Sequence, residues 1–457
     1  MQFHKVRNLH FVGIGGAGMC GMAEILHALG FRVTGCDRAD SPVLAHLGSL
    51  GIPVELGHNP GHLREAEVVV HSSAVPEDHP ELREARRRNL PVIKRAEMLA
   101  QMVRLGFTIA VAGTHGKTTT TSLIGHVLEN LGQDPTVIVG GRVKGFPGHS
   151  RLGRGRYFVL EADEYDKSFL RLAPDVAVLT TVDTDHLDTY GDFDRICAAF
   201  LEFAGRVPFY GAILLRRDDP VQRRMIPGLN RRIVTYGFDP EAEVSARGIE
   251  AGPRGMHFQL SHGGRVWDVD LPLYGRHNVA NALAALAAAV ELDLPLDAAA
   301  SAAASFPGVA RRFDRVGEFR GAPVIDDYAH HPAEIEATLA ACRLAFPDRS
   351  IVVVFQPHLY SRTRDFCAEF ARVLAQTDRL VVTKIYAARE APIPGVSGDM
   401  IAGAVRRMGH AAVSYLETFE ETRAFLEASI LPRDVVLTLG AGDISRFAHE
   451  LIQGGPP

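Results

Sequence analysis

Short apolar runs alternate with stretches of helical period along most of the chain. Leu9-His-Phe-Val12 reads as a buried strand, followed by a glycine-rich turn and the helix-like run Met22–Leu29. Arg32–Cys36, Val68–Ala74 and Pro91–Glu97 continue the strand-and-helix alternation. Phe107–Ala112 is a second apolar run followed by glycine, and Ser122–Asn130 then resumes a 3.6-residue period. Tyr157–Leu160 and Val176–Val182 add strands that end in acidic residues. From about 240 to 272 the pattern changes to strict alternation, which predicts antiparallel hairpins. Asn278–Val290 predicts a helix that is mostly core. Phe306-Pro-Gly308 interrupts helical composition, and beyond it Pro323–Asp327, Ile351–Phe355, Arg379–Thr383 and Asp434–Leu439 predict another set of parallel strands. The pattern predicts an α/β protein of three domains, 1–105, 106–309 and 310–457. The outer two are Rossmann-like; the central one has a parallel sheet plus a small antiparallel sheet.

Composition narrows this picture only modestly. The 457 residues agree with about three domains. With 46% apolar and 23% charged residues the chain can build an ordinary core. A formal charge of −5 gives no reason to expect nucleic acid or an anionic membrane as partner. No apolar run reaches the roughly 20 residues of a membrane span, and the N-terminal segment lacks a signal peptide's apolar region. Cys20, Cys36, Cys197, Cys342 and Cys367 are scattered and odd in number, as expected for reduced thiols in a cytoplasmic protein.

The chemistry concentrates in the turns. Gly113-Thr-His-Gly-Lys-Thr-Thr-Thr120 lies between a strand and a helix, the setting of a phosphate loop. Gly113, Thr114, His115, Gly116 and Thr119 would wrap phosphate oxygens. Lys117 would neutralise the outer phosphates, and the Thr118 hydroxyl would hold Mg²⁺. The strict pattern wants a further glycine where Val111 stands, so this is a shortened variant. Two acidic clusters, Glu161-Ala-Asp-Glu-Tyr-Asp166 and Asp183-Thr-Asp-His-Leu-Asp188, follow strands whose C-terminal ends should face the same crevice. The first glycine turn, Gly13-Ile-Gly-Gly-Ala-Gly18, with Asp37 at the end of the next strand, would by itself suggest bound NAD.

Eight motifs in order then point to one family. They are Gly13–Met19, Gly113–Thr120, Glu161–Asp166, Asp185–Asp188, Gly275–Asn281, Arg311–Phe313, Asp326–Pro332 and Phe355–His358. Over essentially its whole length the chain resembles the Mur ligases of peptidoglycan synthesis, in their alanine-adding branch. The resemblance implies an N-terminal UDP-binding domain, a central ATPase domain and a C-terminal domain that closes on ATP and binds the amino acid. It implies that the first glycine loop holds a UDP-sugar, not NAD. The implied reaction joins L-alanine to the lactyl carboxylate of UDP-N-acetylmuramate through an acyl phosphate made from ATP. Mg²⁺ is implied as cofactor, as two ions, with Mn²⁺ as a substitute. The implied partners are these small molecules alone.

The resemblance assigns the catalytic roles to Lys117, Glu161, His186, Arg312, Asp327 and His330. Thr118, Glu161 and His186 are the implied metal ligands, although His186 read alone is better explained as a hydrogen-bonding group at a strand end, since hard cations prefer oxygen. His277, Asn278 and Asn281 are implied on adenine and ribose, and helix capping is the competing reading of the asparagines. Arg312 and Asp327 are implied on the phosphates and ribose of ATP, with a surface ion pair as the alternative for Arg312. Tyr328, His330, His358, Arg362 and Arg364 are expected to orient substrates, His330 either holding alanine or accepting its proton. His331, before Pro332, is expected to serve the helix start. On the sugar side, Gly15, Gly16, Ala17 and Gly18 would face the diphosphate, and Asp37, His71, Ser72 and Ser73 would touch uridine or the loop. Leu359 stands where some relatives carry Arg, and Cys20 where Ser is common. No carbamylated-lysine motif is present. The rival within the family is the recycling ligase that adds an intact tripeptide to the same sugar.

Overall fold

The computed structural model describes residues 5–453, except 17, 73, 105, 142, 145–149, 166, 185, 186 and 389. The chain forms two compact units. The first comprises Met1–Gly248, Phe258–Val269 and Ala280–Pro307; the second comprises Ile249–His257, Asp270–Val279 and Gly308–Pro457.

The first unit begins with a five-stranded parallel sheet. Its strands run in the order Val54–Leu56, Arg32–Asp37, Asn8–Val12, Val68–His71, Val92–Lys94. Asn8–Val12 and Val68–His71 are buried on both faces, which is why each reads as a short apolar run rather than an alternation. One face, through Leu9, Phe11, Val33 and Val70, packs on the helix Met19–Ala28. The other, through Val12, Cys36 and Val69, packs on Leu82 and Ala85 of the helix Pro80–Arg87.

The central sheet has ten strands. Their order is Arg265–Leu271, Gly255–His262, Val244–Gly252, Arg232–Gly237, Ala212–Arg216, Val176–Leu179, Phe107–Ala112, Tyr157–Glu161, Thr136–Ile138, Ser150–Arg151. From Arg232–Gly237 to Thr136–Ile138 every pairing is parallel, and Ser150–Arg151 closes that edge antiparallel. Phe107–Ala112 therefore sits between the two strands that carry the acidic clusters. Its parallel neighbours deliver their C-terminal ends to one edge.

The second unit contains a six-stranded mixed sheet. Its order is Asp314–Phe319, Ala322–Asp327, Asp434–Leu439, Ser350–Phe355, Arg379–Val382, Val413–Tyr415, with the first pair antiparallel and the rest parallel. The antiparallel edge strand Asp314–Phe319 and the short Val413–Tyr415 were not among the expected strands. The first has a broken pattern and the second is too brief to show an apolar run. Among the described residues no helix is long and apolar enough to cross a membrane.

Candidate active site

The phosphate-loop sequence folds as a strand-to-helix turn. Phe107–Ala112 leads into it, and the helix Lys117–Asn130 leaves it, with Gly116 at the helix start in the left-handed region at φ 85°. Gly113 has φ 141°, and a Cβ there would lie 2.0 Å from Thr180 Oγ1. The glycines are thus demanded by backbone conformation and close approach. The Thr114 amide donates to Thr181 O (2.9 Å) and the His115 amide to Thr181 Oγ1 (3.0 Å). Both amides are thus tied to the neighbouring strand end. Asn281, on the helix Arg276–Glu291, receives the Thr120 hydroxyl at 3.2 Å. Its Oδ1 would lie 2.6 Å from a Cβ at Gly116. It borders the loop rather than capping a helix.

Lys117 is the electrostatic centre of the loop. Its ammonium donates to Gly113 O (2.6 Å), Thr114 O (3.3 Å) and Glu164 Oε1 (2.8 Å). Burial works against its charge, yet the carboxylates of Glu164, Asp163 and Glu161 hold its pKa above the ordinary lysine value. Lys117 is therefore fully protonated at neutral pH. Glu161, at the end of its strand, accepts the Gly140 amide at 3.0 Å. Its carboxylate and the Thr118 hydroxyl are hard oxygen donors of the kind Mg²⁺ takes. His186 lies outside the described residues.

Arg95 was not anticipated. It opens the helix Arg95–Val103, where a cation opposes the helix dipole, and that misplaced charge was the available signal. Its guanidinium lies against the N-terminal glycine loop: a Cβ on Gly18 would be 2.7 Å from Arg95 Nη1. On its other side Arg95 Nη2 is 3.6 Å from Asp163. Arg95, Leu99, Glu161, Asp163 and Phe169 line one small pocket.

In the glycine loop, the amides of Gly13 and Ile14 donate to Cys36 O, and Gly15 N donates to Asp37 Oδ2 at 2.9 Å. Asp37 thus performs the loop-holding half of its two expected roles. Ser72 borders the same turn, its hydroxyl 3.4 Å from where a Cβ on Gly13 would stand. His71 is buried at its strand end with Nδ1 3.1 Å from Ser72 O, and burial holds its pKa below the usual histidine value. Gly16 closes the turn through its amide to Gly13 O. Ala17 and Ser73 lie outside the described residues.

The second unit gathers most of its expected residues. Asp327 ends the strand Ala322–Asp327 and is buried. Its oxygens accept the amides of Phe313 (2.6 Å) and Ala329 (2.8 Å). Burial outweighs these bonds and the nearby Arg312, and pushes its pKa up to about 6. Arg311 and Phe313 both have positive φ, so the Arg311–Phe313 turn is strained and held from several sides. The guanidinium groups of Arg311 and Arg312 lie 4.8 Å and 5.1 Å from the Tyr328 ring centre. His330 Nδ1 sits 3.0 Å from Tyr328 O and 3.2 Å from Glu334 Oε2. The His330 and His358 rings are 5.6 Å apart, and His358 stacks on Tyr386. Burial first, with help from the Arg362 charge, pushes both imidazoles down to about 4, so both are neutral at pH 7.

Not every candidate joins this group. Arg364 is exposed and bonded to Asp365 at 2.7 Å. Asn278 donates to Tyr274 O at 2.8 Å, within the first turn of its helix and not at the capping position. His277 lies beside the Gly275 turn. Leu359, at φ 69°, begins the helix Tyr360–Asp365 and donates its amide to Tyr386 O. His331 is structural as expected: it caps the helix Pro332–Ala345 in a reciprocal box with Glu334. Glu334 was missed, although an acid three residues after a cap is the signature of such a box.

Comparison with known proteins agrees with this geometry. Residues 8–106 match the Mur ligase family catalytic domain, 111–289 the Mur ligase middle domain, and 311–442 the Mur ligase glutamate ligase domain. A UDP-N-acetylmuramate–L-alanine ligase from Halorhodospira halophila is 49% identical over 455 residues, covering 98% of this chain and 94% of its own. One from Sorangium cellulosum is 48% identical over 452 residues, covering 98% and 96%. The crystal structure of the UDP-N-acetylmuramate-alanine ligase from Thermotoga maritima superposes with a TM-score of 0.84 at 30% identity, covering 98% of each chain. A murein peptide ligase from Psychrobacter arcticus shares the fold at a TM-score of 0.73 and 24% identity, again over 98% of each chain. The chain belongs to the Mur ligase family, in the branch of the UDP-N-acetylmuramate–L-alanine ligases.

Proposed function

We propose that the site residues named above carry out an amide ligation in the cytoplasm. The reaction is the ATP-dependent joining of L-alanine to the lactyl carboxylate of UDP-N-acetylmuramate, giving UDP-N-acetylmuramoyl-L-alanine, ADP and phosphate for peptidoglycan synthesis. The observation that carries this reading is the full-length identity to ligases of that name, joined to a phosphate loop whose buried lysine is held by carboxylates.

A carboxylate resists attack by an amine because it is negative and has a poor leaving group. Transfer of the γ-phosphoryl group to the lactyl oxygen makes an acyl phosphate, and the neutral amine attacks its carbonyl carbon. The tetrahedral intermediate then expels phosphate. Lys117 is assigned to the transferring phosphoryl group, exchanging Glu164 for phosphate oxygens. Mg²⁺, held by Thr118 and Glu161, with His186 on a second ion, would neutralise phosphate charge; Mn²⁺ would substitute. Gly15, Gly16, Gly18 and Arg95 are assigned to the sugar's diphosphate. Asn281, Asn278, Arg312 and Asp327 are assigned to ATP, and Tyr328, His330, His358 and Arg362 to alanine. A histidine titrating near 4 is a weak base, so His330 is assigned to holding the amine rather than removing its proton.

The test is phosphate release from Mg²⁺-ATP and UDP-N-acetylmuramate with L-alanine, with L-alanyl-γ-D-glutamyl-diaminopimelate, or with no amine. Release that needs L-alanine is expected. Release only with the tripeptide would transfer the chain to the recycling reaction. Release without sugar or amine would remove the ligase reading.

A further inference from the structure

On the sheet face opposite the helix Met19–Ala28, four metal-binding side chains converge from four elements. They are His10 from Asn8–Val12, Cys36 from Arg32–Asp37, His62 from the turn Pro60–Leu63, and Glu81 from Pro80–Arg87. One ligand atom from each lies within 4.8 Å of all the others. His10, Cys36 and Glu81 are buried at 1%, 0% and 0% exposure, and the His62 side chain is 12% exposed. Cys36 Sγ is 3.0 Å from Glu81 Oε2, and His62 Nδ1 is 3.0 Å from Glu81 Oε1. His10 Nε2 is 3.5 Å from Glu81 Oε2 but has no hydrogen-bond partner, although it is fully buried.

This is not how an apolar core normally disposes of polar groups. A buried imidazole nitrogen without a bond costs on the order of 1–3 kcal/mol. Glu81, at 0% exposure, already accepts the Asn59 amide at 2.8 Å and the Cys36 thiol at 3.0 Å, and what remains to be balanced is its charge. A divalent cation supplies a partner for the imidazole and the balancing charge. With Cys36 as thiolate, Glu81 as carboxylate and two neutral imidazoles, the cluster would be electrically neutral around it. The flanking groups already orient the rings. His10 Nδ1 is 2.9 Å from Thr34 Oγ1, which directs Nε2 inward, and His62 Nε2 is 3.5 Å from Glu55, which directs Nδ1 inward. Such outer partners are the usual supports of metal-bound histidine. Tetrahedral Zn²⁺ with one sulfur, two nitrogens and one oxygen places ligand atoms about 3.3–3.8 Å apart, and the present separations bracket that range.

We propose that His10, Cys36, His62 and Glu81 form a structural Zn²⁺ site, apart from the phosphate loop and adjoining the first glycine loop through the Cys36 carbonyl. The mixed thiolate and imidazole donor set selects Zn²⁺ over Mg²⁺, which takes oxygen. The ion would tie the turn Pro60–Leu63 and the helix Pro80–Arg87 to the two central strands of the sheet.

The experiment loads the full-length, chelator-treated protein with Co²⁺ and then Zn²⁺, in excess Mg²⁺ to fill oxygen-ligand sites. One Co²⁺ per chain is expected, with tetrahedral visible bands and a thiolate charge-transfer band that one equivalent of Zn²⁺ removes. Cys36→Ser should abolish the charge-transfer band. His62→Ala, at the partly exposed edge and therefore the safer variant for folding, should weaken binding about 100-fold or more. Zn²⁺ should raise the melting temperature of the unmutated protein and not that of His62→Ala. Bound Co²⁺ without a charge-transfer band, an unchanged affinity in His62→Ala, or no metal retained after gel filtration would each overturn the assignment. None of these readouts depends on ligase activity.

Discussion

Replacing Lys117 by methionine separates the lysine's structural role from its chemical one. The ammonium stands 2.8 Å from Glu164 Oε1, and Glu164 is 2% exposed. Without the ammonium, the carboxylate has two courses. It can remain charged, and breaking a buried ion pair costs about 3–5 kcal/mol. Alternatively it can take a proton, which also costs free energy at pH 7. The lysine side chain keeps 16% exposure, so water relieves part of either cost. We therefore expect Lys117→Met to lose about 2–3 kcal/mol in the absence of nucleotide. The double variant Lys117→Met, Glu164→Gln should recover all but about 1 kcal/mol, a coupling near 2 kcal/mol. The assay is a urea titration of the four proteins at pH 7, followed by circular dichroism and treated as a cycle so that shared unfolding steps cancel. Neither protein lacking Lys117 should release phosphate, however well the double variant folds. A coupling below about 0.5 kcal/mol would refute the claim that this ion pair holds the loop. Ligation by Lys117→Met within tenfold of the unmutated protein would refute the phosphate role.

Three further outcomes are expected. Gly113→Ala must place a Cβ 2.0 Å from Thr180 Oγ1 and 2.9 Å from Thr181 N at φ 141°, so it should cost at least about 1–3 kcal/mol from the dihedral alone and abolish ATP binding by calorimetry. The second unit should lose stability as pH falls from about 6.5 to 4. His330 and His358 bind protons more readily unfolded, whereas Asp327, raised to about 6, works in the opposite sense. Two histidines against one aspartate leave a net slope on the order of 1 kcal/mol per pH unit, which His330→Gln should roughly cancel in thermal melts across that range. His331→Ala should cost about 0.5–2 kcal/mol by removing a helix cap while leaving alanine-dependent turnover intact, and a large loss of turnover in folded protein would return His331 to the chemistry.

The legible parts of the fold were those with a single-scale signal. Phe107–Ala112, Ile351–Phe355 and Asp434–Leu439 are buried on both faces and so appear as unbroken apolar runs. Asp314–Phe319 is an edge strand with a register shift between Arg315 and Gly317, and its pattern is correspondingly broken. In the site, glycine turns and strand-end acids were readable because their chemistry is local. Arg95 was not, because it reaches Gly18 and Asp163 across long separations in sequence. The His10–Cys36–His62–Glu81 cluster escaped for the same reason: its spacings match no local metal motif, and it takes the pairing of two strands and the packing of a turn and a helix on them to bring the residues together. The burial that sets His330 and His358 near 4 is likewise a property of packing, invisible in residue order.

Arg95 carries one more consequence. A single guanidinium touches the first glycine loop on one side and Asp163 on the other, and it cannot serve both at full strength once an anion occupies that loop. Drawing it toward a diphosphate would loosen its hold on Asp163, one of the carboxylates that surround Lys117. If the two loops hold the nucleotides proposed above, their binding would be linked in free energy through one side chain. Linkage is reciprocal: whatever factor the sugar nucleotide imposes on ATP affinity, ATP imposes equally on the sugar nucleotide. A preferred order of substrate addition would then be a property of this one shared cation.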